Sequence, residues 1–138
     1  MMTDFLARVL NFALAEDIGF DLMPLRHPDT PPLVDTENRH IVLNSSWRDQ
    51  NELPFQAAHE IAHIENGDIG IQHYSPCSDV RTESAANRRA LEIVVPLYFS
   101  DLEFEEANGD KFVNDLRIPA WLWDEAHSKI VNYYLFET

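Results

Sequence analysis

Two histidines separated by four positions, with a glutamate directly after the first, make His59-Glu60-Ile61-Ala62-His63 the stretch of this chain best equipped for chemistry. On a helix, residues four apart sit one above the other on the same face, so two imidazoles can reach one zinc ion. Glu60 follows His59 directly and can lean over the ion toward its bound water. Zinc lowers the pKa of such a water, and a glutamate in this place accepts the proton as the water attacks a polarised carbonyl. The neighbours Phe55, Ala58, Ala62 and Ile64 are apolar, which predicts a largely buried helix. The plainer account of the same residues is a pair of helix histidines hydrogen-bonded to their surroundings.

The flanks say where this helix begins and ends. Asn51 or Asp49 can cap it, Pro54 suits its first turn, and Gly67 is the expected stop. A second helix is predicted from Asp79 through Val95, ended by Pro96. Glu83 and Asn87 share one of its faces, and Ala86, Ala90 and Val94 continue that stripe inward. A carboxylate beside small buried residues is costly without a cation, and zinc would be one. Capping of the first turn by Glu83, or a pair with Asn87 or Arg88, remains the alternative. Glu65 follows the motif too closely to fold back onto the same ion, and Glu92 shares no obvious face with Glu83. Residues 68–78 read as a loop or weak extended segment. His73 and Tyr74 there could donate to a developing oxyanion, and Cys77 could serve as a thiolate ligand.

The remaining elements supply the frame. Residues 3–16 form a helix whose apolar face is Phe5, Leu6, Val9, Leu10, Ala13 and Leu14, with Gly19 as its stop. Four prolines predict irregular chain over 20–32, with His27 as a loop histidine. Leu33-Val34 and His40–Leu43 read as short strands around a turn at Asp35–Asn38, with His40 either on the sheet surface or lining the cleft. Ser100–Glu103 resembles a capping box opening a short acidic helix that Gly109 ends. A helical turn or two over 110–116 turns Phe112, Val113 and Leu116 inward. A last helix runs from Ile118-Pro119 to about Tyr134, packing Trp121, Leu122, Ala126, Ile130 and Val131 and leaving Trp123 and His127 outside. Short strands leading into a metal-binding helix predict a small α+β metallohydrolase core.

Composition narrows the function classes. At 138 residues, 45% hydrophobic and 25% charged, the chain fits one soluble globular domain. Its formal charge of −14, from 24 acidic and 10 basic side chains, argues against direct nucleic-acid binding and is compatible with a basic protein partner. No run approaches membrane-spanning length, and the start Met1-Met-Thr-Asp-Phe lacks the pattern of a signal peptide, so a cytoplasmic location is expected. The single cysteine excludes an internal disulfide framework.

Taken together, the two helices make the chain resemble the ImmA/IrrE-type metallopeptidases. That family has a strand ending in Asn or Ser, a polar segment, a Phe and then HExxH; here these are Ile41–Ser46 and Phe55–His63. Its second helix, E-x-x-A-N-x-F-A-x-x-L-L-M-P, aligns with Glu83–Pro96 at unchanged spacing. Arg89 stands at the usual phenylalanine, and Ile93-Val94-Val95 at Leu-Leu-Met. The resemblance implies a zincin-like core, with a small β-sheet packed against the HExxH helix and a second ligand-bearing helix, followed by C-terminal helices. It implies Zn2+ held by His59, His63 and Glu83, Glu60 as catalytic base, and Asn87 as support for the ligands. It further implies cleavage of a helix-turn-helix (Xre-type) repressor of a phage, mobile element or stress operon. The competing expectation is a non-catalytic antirepressor or toxin–antitoxin component that keeps a structural metal and acts by binding.

Overall fold

The computed structural model describes residues 2–68, 71–73 and 80–136. The first helix, α1 (Met2–Ala15), buries Phe5, Leu6, Val9, Leu10 and Ala13. Leu14, expected on that face, is 54% exposed, because a step of about 100° past the buried Ala13 takes it to the edge of the arc. The helix ends at Asp17, which takes the left-handed conformation (φ 59) while the Ile18 amide reaches back to the Ala13 carbonyl. Gly19 is therefore not the stop. It opens a strand.

That strand, β1 (Gly19–Met23), corrects the irregular chain expected over residues 20–32. It has no clean alternation of its own. Its geometry comes from parallel pairing with a strand some twenty residues on, which no local pattern reveals. The partner is β3 (His40–Asn44), with Gly19 opposite His40 and Met23 opposite Asn44. A Cβ on Gly19 would stand 2.8 Å from His40 Nδ1, so glycine makes room for that ring, whose Nε2 pairs with Asp21 at 2.8 Å. Of its two expected places, His40 takes the sheet surface. Between β2 (Leu33–Asp35) and β3 the turn is held by Asp35, which accepts from the Asn38 amide and side chain. A fourth strand, β4 (Ile71–His73), pairs antiparallel with β2, giving the order β1-β3-β2-β4. Asn44, fully buried at the end of β3, accepts from the Leu25 and Ser46 amides and donates to the His27 and Thr30 carbonyls. One side chain so organises the proline-rich loop.

On this sheet lies α2 (Leu53–Glu65), packed also on α1 and most extensively on α3 (Val80–Phe99). The protein is an α+β fold of five α-helices and a small sheet among the described residues. Asp49 caps the short 3-10 turn that leads into α2, accepting from the Asn51 amide, and Pro54 falls in the first turn. Pro96 does not end α3, contrary to expectation. A proline inside a helix costs about 3 kcal/mol through a lost bond and a clash. Three residues later Phe99 is fully buried, with aromatic contacts to Tyr98, Phe112 and Tyr134. Burying one such ring is worth about 1.5–3 kcal/mol and each aromatic pair adds about 0.5–1.5 kcal/mol, enough to carry the helix through.

The C-terminal boundaries also move. The reciprocal cap sits at Glu103, whose amide is bonded by Glu106, around a 3-10 turn, not at Ser100. Gly109 begins α4 (Gly109–Asp115) under an Asn108 cap instead of ending a helix. A 3-10 turn at Ala120–Leu122 precedes α5 (Trp123–Phe136) and shifts its phase. Leu122, Ala126 and Ile130 turn inward, whereas Trp121 is 80% exposed and Val131 half-exposed. No described helix is long and apolar enough to cross a membrane.

Candidate metal centre

Helix α2 presents its chemistry on a single arc. At 3.6 residues per turn, Gln56, His59, Glu60 and His63 fall within roughly 100° of one another. That arc faces the first turn of α3, which carries Glu83. Of the motif residues, His63 and Glu60 are buried and His59 is partly covered. The side-chain ligand atoms of His59, Glu60 and His63 lie within 4.8 Å of one another and could hold a metal ion. The two imidazoles meet edge to face, ring centroids 4.8 Å apart.

Glu83 closes the group from α3. One of its oxygens stands 2.8 Å from His59 Nε2 and the other 3.3 Å from His63 Nε2. The crossing of α2 and α3 thus brings together all four residues expected at the centre from positions 59–83. Asn87 lies one turn beyond Glu83, and its side chain is among the neighbours that raise the His59 pKa. Of the other expectations, His73 closes β4 opposite Leu33, but its side chain, like Tyr74 and Cys77, lies outside the described residues. The rival carboxylates are engaged elsewhere. Glu65 forms a two-pronged pair with Arg89 (2.9 and 3.1 Å), and Glu92 meets Lys129 at 2.8 Å.

The electrostatics of the group are those of too much negative charge in too little water. Burial raises the Glu60 carboxyl to about 7; the nearby imidazole of His59 opposes this and the Glu83 carboxylate adds to it. Glu83 is held below its ordinary value, first by the hydrogen bond from His59, against the cost of its own burial. For His59, burial disfavours the charged ring, yet the bond to Glu83, the charges of Glu60 and Glu83 and the nearby Asn87 side chain together raise its pKa. Glu60 Oε2 is buried with no hydrogen-bond partner, and so is Gln56 Oε1 one turn earlier. Such orphaned acceptors cost about 1–3 kcal/mol each.

These features fit a divalent cation. The donor set is the two imidazole nitrogens and the Glu60 carboxylate, within 4.8 Å of one another, with the Glu83 carboxylate 2.8 and 3.3 Å from the imidazoles. Nitrogen and oxygen ligands about 2.1 Å from one tetrahedral zinc stand roughly 3.4 Å apart. The 3.3 Å pair already matches, and the 2.8 Å pair needs to part only slightly. A cation here would also offset the crowding of Glu60 against Glu83.

Comparisons with protein-family models, with curated proteins and with solved structures found no match.

One residue at the centre escaped the motifs. Asp68 places Oδ2 2.8 Å from His63 Nδ1. Its signal in the sequence is its place just after Gly67, where a chain leaving a helix through a left-handed glycine turns back over the last turn.

Proposed function

We propose that the chain is a metal-dependent peptidase of the ImmA/IrrE type, with zinc at the centre and a helix-turn-helix repressor as substrate. The observation that carries this reading is the convergence of His59 Nε2, His63 Nε2 and the Glu83 carboxylate beside the buried, unpartnered oxygen of Glu60. His59, His63 and Glu83 would hold the ion, Glu83 giving up its hydrogen bond to His59 to do so. Bound zinc supplies a Lewis acid that polarises a carbonyl and makes water nucleophilic near neutral pH.

The chain's own residues do the rest. Glu60 Oε2 takes the proton of the attacking water and delivers it to the nitrogen of the leaving amine. Its burial suits that task, since a base poised near neutrality is in the right state at working pH and still transfers its proton readily. Asp68 keeps the His63 ring in place from outside the ligand set, and Asn87, expected as support for the ligands, lies one turn beyond Glu83. The repressor as substrate rests on the resemblance of the two helices to that family. The charge of −14 supports it only to the extent that it favours a basic partner.

The test is co-expression of wild type and Glu60→Gln with a helix-turn-helix repressor encoded beside the gene. Proteolysis requires that wild type remove the intact repressor and leave fragments visible by mass spectrometry, while Glu60→Gln leaves it whole. Equal derepression by both forms with the repressor intact would assign the protein to binding without cleavage.

A further inference from the structure

The end of α2 does more than stop a helix. Three amides return to the last turn: Asn66 to the Ala62 carbonyl (2.8 Å), Gly67 to Ile64 (3.1 Å) and Asp68 to His63 (3.1 Å). The last two bonds, with Gly67 at φ +76, make a Schellman cap. In this cap the residue after the glycine always bonds back to the third-last residue of the helix. Here that residue is His63. Asp68 therefore returns to His63 twice, by its amide to the carbonyl and by its carboxylate to ring Nδ1 at 2.8 Å.

We propose that this cap is the positioning device of the metal centre: Gly67 sets the backbone that brings Asp68 onto His63, and Asp68 selects the imidazole tautomer that can bind metal. The inference rests on the reading of His59, His63 and Glu83 as metal ligands. A neutral imidazole has one N–H, and a carboxylate only accepts, so Asp68 keeps the hydrogen on Nδ1 and leaves a lone pair on Nε2. The ring is 2% exposed, so water offers it little alternative. Without Asp68 the other tautomer becomes available. Its Nε2–H would point at Glu83 Oε1, 3.3 Å away, and would tie up two ligand atoms in a hydrogen bond. A Cβ on Gly67 would meet nothing within 4 Å, so glycine is needed there for its φ and not for space. Asparagine, which tolerates the left-handed conformation, should substitute for it; alanine should not.

The experiment compares Asp68→Ala, Asp68→Asn, Gly67→Ala and Gly67→Asn with wild type. Zinc affinity is measured by competition with a chromophoric chelator. The His63 tautomer is read by nitrogen-15 NMR on metal-free protein at about pH 9, where an ordinary imidazole is neutral. Asp68→Ala should lose about 10–100-fold in zinc affinity and move the His63 hydrogen to Nε2. Asp68→Asn, whose amide oxygen still accepts from Nδ1, should lose less. Gly67→Ala should follow Asp68→Ala, and Gly67→Asn should return toward wild type. Affinities within twofold of wild type in Asp68→Ala, or equal losses in both Gly67 variants, would overturn the proposal. If wild type itself binds no zinc, the metal centre fails; the tautomer then still decides the role of Asp68, an unchanged His63 in Asp68→Ala refuting it. Should Asp68→Ala not fold, Asp68→Asn and the Gly67 pair carry the same comparison.

Discussion

Glu60 and Glu83 are both glutamates at the same centre, and their surroundings push them in opposite directions. Glu60 is buried and raised to about 7, whereas Glu83 sits in the first turn of α3, hydrogen-bonded to His59 and close to His63, and is lowered. Opposite environments suit opposite roles, base and ligand. Glu83→Ala should therefore weaken zinc binding strongly, while Glu60→Gln should leave it nearly intact, as read by chelator competition. Full zinc occupancy in Glu83→Ala would place the third ligand elsewhere. The pH dependence of metal-free stability follows from the same residues. The folded pKa of Glu60 lies above its ordinary 4.5, so the fold binds its proton more tightly than the unfolded chain does. The resulting stability is complete below 4.5 and is lost as pH rises through about 7. His59, also raised, acts in the same sense; Glu83, lowered, acts in the opposite sense, its contribution being lost as pH falls through its depressed value. Urea unfolding of metal-free protein should show stability falling between about pH 5 and pH 8, with Glu60 accounting for up to about 3 kcal/mol. Glu60→Gln should flatten most of that slope.

Among the elements, α3 holds the centre together by contacts on either side of it. Glu83 faces the histidines in its first turn, and two turns later Arg89 clasps Glu65 at the end of α2. Glu92 and Lys129 extend that network to α5. Arg89, at the position where the resemblance would put phenylalanine, forms a two-pronged ion pair with Glu65. The pair is neither exposed nor fully buried, with 33% and 17% of the two side chains accessible. Removing one partner should then cost more than a surface pair and less than a buried one, about 1–3 kcal/mol. Arg89→Met alone should lower the melting temperature, and Glu65→Leu with Arg89→Met should recover most of the loss. A double variant as unstable as the sum of its singles would show that the pair is not coupled.

At the scale of the whole molecule, an ion held by His59 and His63 of α2 and Glu83 of α3 would join the two most heavily packed helices. Ligand that binds only the folded state stabilises it by mass action, about 2.7 kcal/mol at a hundredfold excess over Kd. For a chain of this length that corresponds to roughly 10 °C in melting temperature. Chelation should therefore lower the wild-type melting temperature by about that much and leave Glu83→Ala unmoved. An equal chelator effect in both proteins would mean that the stabilising ion binds elsewhere.

What was legible in the sequence was whatever depends on spacing along one element. The histidines of α2 share a face because they are four apart; Asp49, Pro54 and Gly67 bound that helix by local backbone chemistry; and Val34, Ile41 and Leu43 form the core of a hairpin whose turn residues announce it. What the tertiary structure decided depends on partners distant in sequence or on competition between local and non-local terms. β1 became a strand through pairing with β3, and α3 continued past Pro96 because Phe99 had a core to enter. Trp121 turned outward when a 3-10 turn reset the phase of α5. The site divides in the same way. Its residues were visible as a motif on each helix, but the meeting of Glu83 with both imidazoles required the helices to cross, and Asp68 reached His63 only through the handedness of the turn at Gly67. Periodicity specifies which way a side chain leaves its own helix; packing and chain reversal specify what it then meets.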